Sequence, residues 1–131
     1  MEETKIHAKA VVEILGTPKE HVEETMKMVM GKAKDNYNLI SETTYAAEEI
    51  EGLWSTFADL EVDFKSMDQL IGFCFDFMPS SIEIIEPMQF SIKCTDMANL
   101  LNDLLAKLHR YDMIVKNLNA ENIILKKKMG N

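Results

Sequence analysis

The sequence predicts an α+β fold, a ferredoxin-like βαββαβ sandwich followed by a long C-terminal helix. Apolar and polar residues alternate in four windows, and two windows between them have helical spacing. The resulting order of strand, helix, strand, strand, helix, strand is the split-βαβ arrangement. We expect residues 1–94 to form an antiparallel sheet with both helices on one face, and residues 95–131 to form the C-terminal helix.

The first strand and first helix are expected within residues 5–34. In the segment KIHAKAVVEIL, Ile6, Ala8 and Ala10 fall on one face of a strand, whereas His7 and Lys9 fall on the other. The sequence Gly16-Thr17-Pro18 ends this strand. Thr17 followed three residues later by Glu20 predicts a capping box with Pro18 at the first helical position. The helix should bury a stripe at spacings of three and four: Val22, Met26, Val29 and Ala33.

The next two strands are expected to form a hairpin. Residues 38–51 have mixed alternation with much acid, and Gly52 marks a tight turn. Residues 53–64 alternate most regularly in the chain. One face of this strand carries the residues predicted to be buried: Trp54, Thr56, Ala58, Leu60, Val62 and Phe64.

The second helix and the last strand are bounded by capping residues and prolines. Ser66 with Gln69 predicts a second capping box, and Pro79 predicts the end of this helix near Met78. The last strand is expected within residues 81–92. Pro87 interrupts it and cannot donate a ladder hydrogen bond, so this strand should lie at a sheet edge or end there.

From Thr95 onward there is no proline or glycine until Gly130, and apolar residues recur at alternating spacings of four and three. This pattern is a heptad repeat over about four heptads, typical of a coiled coil. We call its a and d residues the heptad seam: Met97, Leu101, Leu104, Leu108, Tyr111, Val115, Leu118, Asn122 and Leu125. Leu100 and Leu105 widen the stripe, so the start of the helix should also pack on the preceding domain, while the rest projects toward a partner.

Two alternatives for the end of the chain stay open at this stage. The segment could be a frayed polar tail. Because Asn117, Asn119 and Asn122 are weak helix formers, the helix could also end near Asn119, with residues 121–127 forming a short strand. Asn122 at an a position nevertheless favours a paired, two-stranded helix with a fixed register.

The stretch FCFDFMP, residues 73–79, is the most apolar segment of the chain. Phe73 and Phe77 should face the sheet, whereas Phe75 and Met78 lie off that stripe. A helix that is apolar on two sides is covered on two sides, so Phe75 and Met78 are predicted interface residues. A small-ligand pocket is the alternative interpretation.

Composition and charge exclude several classes of function. The net charge of −8 disfavours nucleic-acid binding. The open sheet face offers Phe57 among Asp59, Glu61 and Asp63, without the basic and aromatic pattern of RNA-binding sheets. The same acidic face could bind a hard cation, although alternating strand carboxylates more often form a solvated surface. No phosphate-binding glycine loop and no catalytic constellation of His, Ser and Cys is present. We therefore predict no catalytic residues, no metal and no cofactor.

The start of the chain carries charged residues where a signal peptide would be apolar, and no apolar window is long enough to span a membrane. Cys74 and Cys94 lie in no CxxC motif and are expected to be buried, reduced thiols, with a disulfide or a reactive thiol as the alternative. We therefore expect a cytoplasmic protein without membrane contact.

The sequence favours a non-enzymatic interaction or oligomerisation module. Its partner would be a second copy of the chain, as a homodimer, or another helical protein. The order of elements over about residues 5–92 also resembles the regulatory ACT-type domains, and this resemblance implies small-ligand binding between subunits. The segment after the first strand has only Gly16 in place of a glycine-rich turn, so no ligand-binding residue carries over.

Overall fold

A computed structural model describes residues 4–130 and divides the chain into two compact units, Met1–Phe90 and Ser91–Asn131. The first unit contains an antiparallel sheet with two helices, and the second contains one long helix. The elements in chain order are β1 (Ile6–Gly16), α1 (Lys19–Asn36), β2 (Asn38–Thr44), β3 (Glu48–Ile50), β4 (Leu53–Phe64), α2 (Met67–Phe77), β5 (Ser81–Glu86) and α3 (Cys94–Met129). The predicted α+β class, with an antiparallel sheet and a long C-terminal helix, is confirmed.

The sheet has β4 and β1 at its centre and β2 and β5 at its edges, in the order β2-β4-β1-β5, and β3 also pairs with β4. β1 and β4 pair without interruption from Ile6 opposite Phe64 to Gly16 opposite Trp54. These two strands are the most regular alternators in the sequence. Their pattern therefore predicted both their length and which of their faces is buried.

The core lies on the face of the sheet that α1 and α2 cover. Alternate residues of β1 and β4 pack there against Met26 and Met30 of α1 and against Leu70 and Phe73 of α2. Met30 is buried and Val29 only partly so, which corrects the predicted stripe of α1 by one residue. The other side of the sheet carries the polar and acidic residues of the same strands.

The predicted second strand is interrupted at residues 45–47. The Tyr45 N–H still donates to Phe57 O at 2.9 Å, but the Tyr45 carbonyl accepts from the Thr56 hydroxyl at 2.6 Å. The Ala47 N–H donates to the Glu23 carboxylate on α1 at 3.2 Å. Side chains therefore satisfy backbone groups that a continuous ladder would have paired, which a strand pattern alone does not reveal.

The turn between β3 and β4 has the conformation that a tight hairpin requires. Glu51 and Gly52 both have positive φ, 51° and 83°, between the paired residues Ile50 and Leu53. Positive φ at both central residues defines a type I′ turn, whose twist matches that of the flanking strands. The predicted hairpin at Gly52 is confirmed.

The two predicted capping boxes have opposite outcomes. On α2, the Gln69 N–H donates to Ser66 Oγ at 3.2 Å, and Gln69 Oε1 in turn accepts from the Lys65 N–H at 2.7 Å. On α1, Pro18 is the N-cap residue and no side chain caps the helix. The predicted Thr17 cap is therefore wrong, because the helix begins at Lys19, one residue later than the box requires.

β5 ends at Glu86, directly before Pro87, and it lies at a sheet edge. Both parts of the proline prediction are therefore met. The predicted extension to Ile92 is wrong, because Pro87 cannot donate to the ladder and residues 87–93 form neither strand nor helix.

α3 is one continuous helix of 36 residues. At about 1.5 Å per residue it is about 54 Å long. It continues through Asn117, Asn119 and Asn122, so the alternative of an end near Asn119 with a strand at residues 121–127 is wrong. Lysines 126–128 in its last turn complement the negative end of the helix dipole.

Candidate functional site

The heptad seam forms an exposed apolar stripe along α3. No residue of α3 within the described part of the chain is buried. The exposed fractions of the seam side chains include 48% for Leu101, 53% for Leu108 and 57% for Leu118. Leu104, Tyr111 and Val115 are also exposed, and Asn122 is exposed at the next a position. The seam presents apolar surface over nearly the whole helix.

Toward the C-terminal end of α3, further apolar residues are exposed outside the seam. Ile114 lies at a g position, beside the seam, and is 52% exposed. Ile123 and Ile124 occupy b and c positions and are 56% and 53% exposed. Toward the N-terminal end, Leu105 occupies an e position beside the seam, is 60% exposed and widens the apolar stripe. A strict two-stranded coiled coil would cover only part of this surface.

Phe75 and Met78, the two predicted interface residues outside α3, belong to the first unit. Phe75 is half-buried on α2. Met78 caps α2 in the left-handed conformation, with φ 46° and ψ 57°, and its side chain is 57% exposed. Its backbone N–H donates to Cys74 O at 3.0 Å. The remaining predicted interface residues all lie on α3, in the second unit.

The sheet-facing side of the FCFDFMP stretch belongs to an aromatic cluster. Phe73 is fully buried, and its ring meets those of Tyr37 and Phe64 edge-on, with centroids 5.3 Å apart in both pairs. Phe77 lies 5.2 Å from Phe73. Tyr37 follows directly after α1 and was not singled out by the sequence pattern. This part of the stretch is core.

The open face of the sheet brings His7 between two carboxylates of β4. His7 Nδ1 lies 2.7 Å from Asp63 Oδ1, and His7 Nε2 lies 3.1 Å from Glu61 Oε2. Glu86 is the register partner of His7 on β5. The hydrogen bond to Asp63 is the main cause that raises the pKa of His7 above its ordinary value of 6.5, and the charge of Glu61 adds to it.

The first unit also contains a cleft of about 500 Å³ between α1 and the β2 edge. Lys27 and Lys34 line it from α1, and Glu42 and Tyr45 line it from the other side. Lys34 Nζ lies 2.8 Å from Glu42 Oε1. Glu42 Oε2 is buried and has no hydrogen-bond partner among the described residues. A buried carboxylate oxygen without a partner is costly, so a polar ligand group could bind there.

Both cysteines are free thiols. Cys74 is half-buried on α2, and burial raises the pKa of its thiol. Cys94 is exposed at the start of α3, so the expectation that both are buried is wrong for Cys94. The sequence could not reveal the exposure of Cys94. Its apolar neighbours suggested burial, but α3 has no buried residue in the described part of the chain.

Residues 4–130 contain neither a candidate metal site nor a candidate membrane-spanning helix. No group of three or more His, Cys, Asp or Glu side chains within this range is arranged to hold a metal ion. Within the same range, no helix is both long enough and apolar enough to cross a membrane.

These features together define an α+β protein with an exposed heptad helix. The chain belongs to the MJ0538 family, whose model matches residues 7–129 and thus both units. No curated protein and no solved structure matches the chain.

Proposed function

We propose that the protein is a non-enzymatic protein–protein interaction or oligomerisation module that associates through the heptad seam of α3. One observation carries this proposal: a continuous helix of 36 residues bears a regular apolar seam and buries no described residue. Each Å² of apolar surface removed from water contributes about 25 cal/mol. Pairing the seam with another helix is the direct way to gain this free energy.

The proposal is tested by the molar mass in solution. The chain has a mass of 15.0 kDa, so a dimer would have about twice that mass. Leu108→Glu and Leu118→Glu place a charge in the seam, where burial without a partner is costly, and both variants should return the protein to the monomer. Ala106→Glu is the matched control, because Ala106 occupies an f position on the opposite side of the helix.

The outcome that would contradict the proposal is equally specific. If the unsubstituted chain is a dimer and both seam variants keep its mass, association does not use the seam. The predicted interface residues Phe75 and Met78 would then be the next surface to test, with Met78→Glu as the first variant.

We also propose that the sheet is ferredoxin-like, with β2 and β3 as two pieces of one second strand. Both pair with β4, β2 from Asn38 to Thr44 and β3 from Glu48 to Ile50. Counted this way, the strand order is second, third, first, fourth, as in the split-βαβ arrangement. The two helices between strands agree with this interpretation.

A second candidate function is the binding of a small ligand, and the cleft beside Glu42 favours it. The lysines of α1 could bind a carboxylate, and Glu42 Oε2 could accept from an ammonium group. A zwitterionic amino acid has both groups. The regulatory ACT-type domains, by contrast, bind ligands between subunits, whereas this cleft lies within one unit.

This second candidate is tested by thermal unfolding with a panel of amino acids at millimolar concentration. A ligand that binds only the folded state raises the melting temperature. Glu42→Gln should remove that increase, and Glu49→Gln on the exposed strand β3 should retain it. A flat panel would reject the ligand site.

We propose a reducing compartment, such as the cytoplasm, as the location of the protein. Both described thiols are free, and Cys94 is exposed to solvent. Exposed thiols stay reduced where glutathione and thioredoxin systems operate.

A further inference from the structure

We propose that the partner of the seam is α3 of a second copy of this chain, running parallel and in register. This inference rests on the proposed function and adds the identity and the direction of the partner. Because α3 is continuous from Cys94 to Met129, one heptad register applies along its whole length. The helix can align with its copy in two directions, parallel or antiparallel.

Asn122, the polar residue at an a position, distinguishes the two alignments. In the parallel alignment, Asn122 faces its own copy, and the two side-chain amides can donate to and accept from each other. The antiparallel alignment that keeps a residues opposite d residues brings Leu101 opposite Leu125. It therefore places Asn122 opposite Leu104, where the buried amide has no side-chain partner. The parallel alignment therefore gives the Asn122 amide a partner, which the antiparallel alignment does not.

The charged residues that flank the seam also favour the parallel alignment. In a parallel coiled coil, a g residue lies beside the e residue five positions further along the other helix. This rule brings Lys107 beside Asp112 and Glu121 beside Lys126, so both pairs carry opposite charges. The antiparallel alignment also brings Lys107 beside Glu121, but it places Asp112 beside its own copy, where two negative charges repel each other.

The apolar flanking residues agree with the same choice. The parallel rule brings Leu100 beside Leu105, at the end where the apolar stripe is wider. Asp112 also contacts Lys116 on its own helix, with Nζ and Oδ2 2.8 Å apart. Both side chains of this ion pair are more than half exposed, so solvent screens it and Asp112 can also interact with a lysine of the second helix.

Cys94 provides a native reporter for the alignment. It occupies the a position seven residues before Leu101, and its thiol is free and exposed. The parallel alignment places the two copies of Cys94 opposite each other. The antiparallel alignment places them at opposite ends of a helix about 54 Å long at about 1.5 Å per residue. A disulfide requires the two Cβ atoms within about 4.5 Å.

The experiment treats the full chain with diamide, which accepts the two hydrogens that two thiols lose when they form a disulfide. On a non-reducing gel, the parallel dimer gives a band at twice the chain mass. Cys94→Ser should abolish this band and Cys74→Ser should retain it. A band that depends on Cys74 instead would overturn the proposal.

A second measurement separates the alignment from association itself. In a background without Cys74 and Cys94, chains carrying Leu101→Cys are mixed with chains carrying Leu125→Cys, then oxidised and weighed by mass spectrometry. The parallel alignment gives only disulfides between like chains. Disulfides between unlike chains would overturn the parallel alignment but would leave the proposed association through α3 intact. A monomeric mass with no disulfide would overturn the second copy as the partner, and with it homo-association.

Discussion

The two units of the chain use apolar residues in opposite ways. In the sheet unit, the core residues of β1, β4, α1 and α2 are between 0% and 6% exposed. In α3 the apolar residues have equally regular spacing, yet the leucines of the heptad seam are between 39% and 57% exposed. Periodicity therefore predicts which face of an element is apolar. It does not predict whether the same chain covers that face.

The reason for the difference is geometric. The apolar residues of β1 and β4 pack against α1 and α2, which cover that face of the sheet. The sheet and the helices thus bury each other's apolar residues. A single helix about 54 Å long at about 1.5 Å per residue can cover its apolar stripe only against a second element of similar length. None of the other elements is comparable, since the next longest is α1 with 18 residues. A second α3 has the required length.

The largest expected effect concerns the sheet unit. Phe73→Ala removes a fully buried ring from the aromatic cluster and should lower the free energy of unfolding by about 3–5 kcal/mol. Trp54 on β4 is the single tryptophan, so its fluorescence during urea unfolding reports this unit. The matched control is Phe90→Ala, because Phe90 is 41% exposed and should cost under about 1 kcal/mol. Equal losses for both variants would contradict the assigned core.

A smaller effect of opposite sign is expected in α3. Asn122→Leu removes a polar side chain from the seam and should stabilise the associated helix by about 1–3 kcal/mol. The variant should also lose its single two-stranded state, because the asparagine fixes the register. Circular dichroism at 222 nm during thermal unfolding measures the stability, and light scattering measures the mass. A destabilised helix would show that Asn122 does not lie in the associated seam.

The helix caps give a matched pair of substitutions within the sheet unit. Ser66→Ala removes the oxygen that accepts from the Gln69 N–H and should cost about 1 kcal/mol. Thr17→Ala at the start of α1 should cost much less, because no side chain caps that helix. Urea unfolding followed by Trp54 fluorescence measures both losses. A greater loss for Thr17→Ala would reverse the assignment of the two caps.

The smallest expected effect is a pH dependence from His7. Its pKa is raised in the folded state above the ordinary value of 6.5, so its protonated form stabilises the fold. This contribution is fully present below about pH 6.5 and is lost as the pH rises through the higher pKa of the folded state. The urea midpoint should therefore fall more between pH 6 and pH 8 than it does in His7→Gln.

The two carboxylates beside His7 supply the internal control for this pH dependence. Asp63 makes the larger contribution to the raised pKa, so Asp63→Asn should reduce the fall in the urea midpoint more than Glu61→Gln does. An unchanged fall in the His7→Gln variant would show that the histidine contact does not contribute.

Local patterns in the sequence predicted much of the fold. The alternation of residues 53–64 matches β4 from its first residue to its last, and Ser66 and Gly52 marked a cap and a turn. The break at residues 45–47 was not predictable, because it depends on Thr56 and on Glu23 of α1, both distant in the sequence. The misplaced Thr17 cap reflects a one-residue shift that spacing cannot resolve.

The candidate sites likewise differ in whether a local pattern or the packing of distant residues defines them. The heptad seam is a local property of one helix, so the spacing of its residues is enough to predict it. The cleft joins residues of α1 to Glu42 and Tyr45 across the sheet edge. Glu42 Oε2 is buried without a partner because of how these distant residues pack, and no local sequence pattern encodes that packing. His7 was expected on the open face, but its two carboxylate partners required the register of β1 on β4.

The mass of the unsubstituted chain across a range of concentrations tests the central claim most directly. Sedimentation equilibrium under reducing conditions excludes any disulfide between copies. The account predicts a mass that rises with concentration from 15.0 kDa to twice that value, as two α3 helices pair. A mass of 15.0 kDa at every concentration would contradict the claim that a second copy of the chain covers the heptad seam.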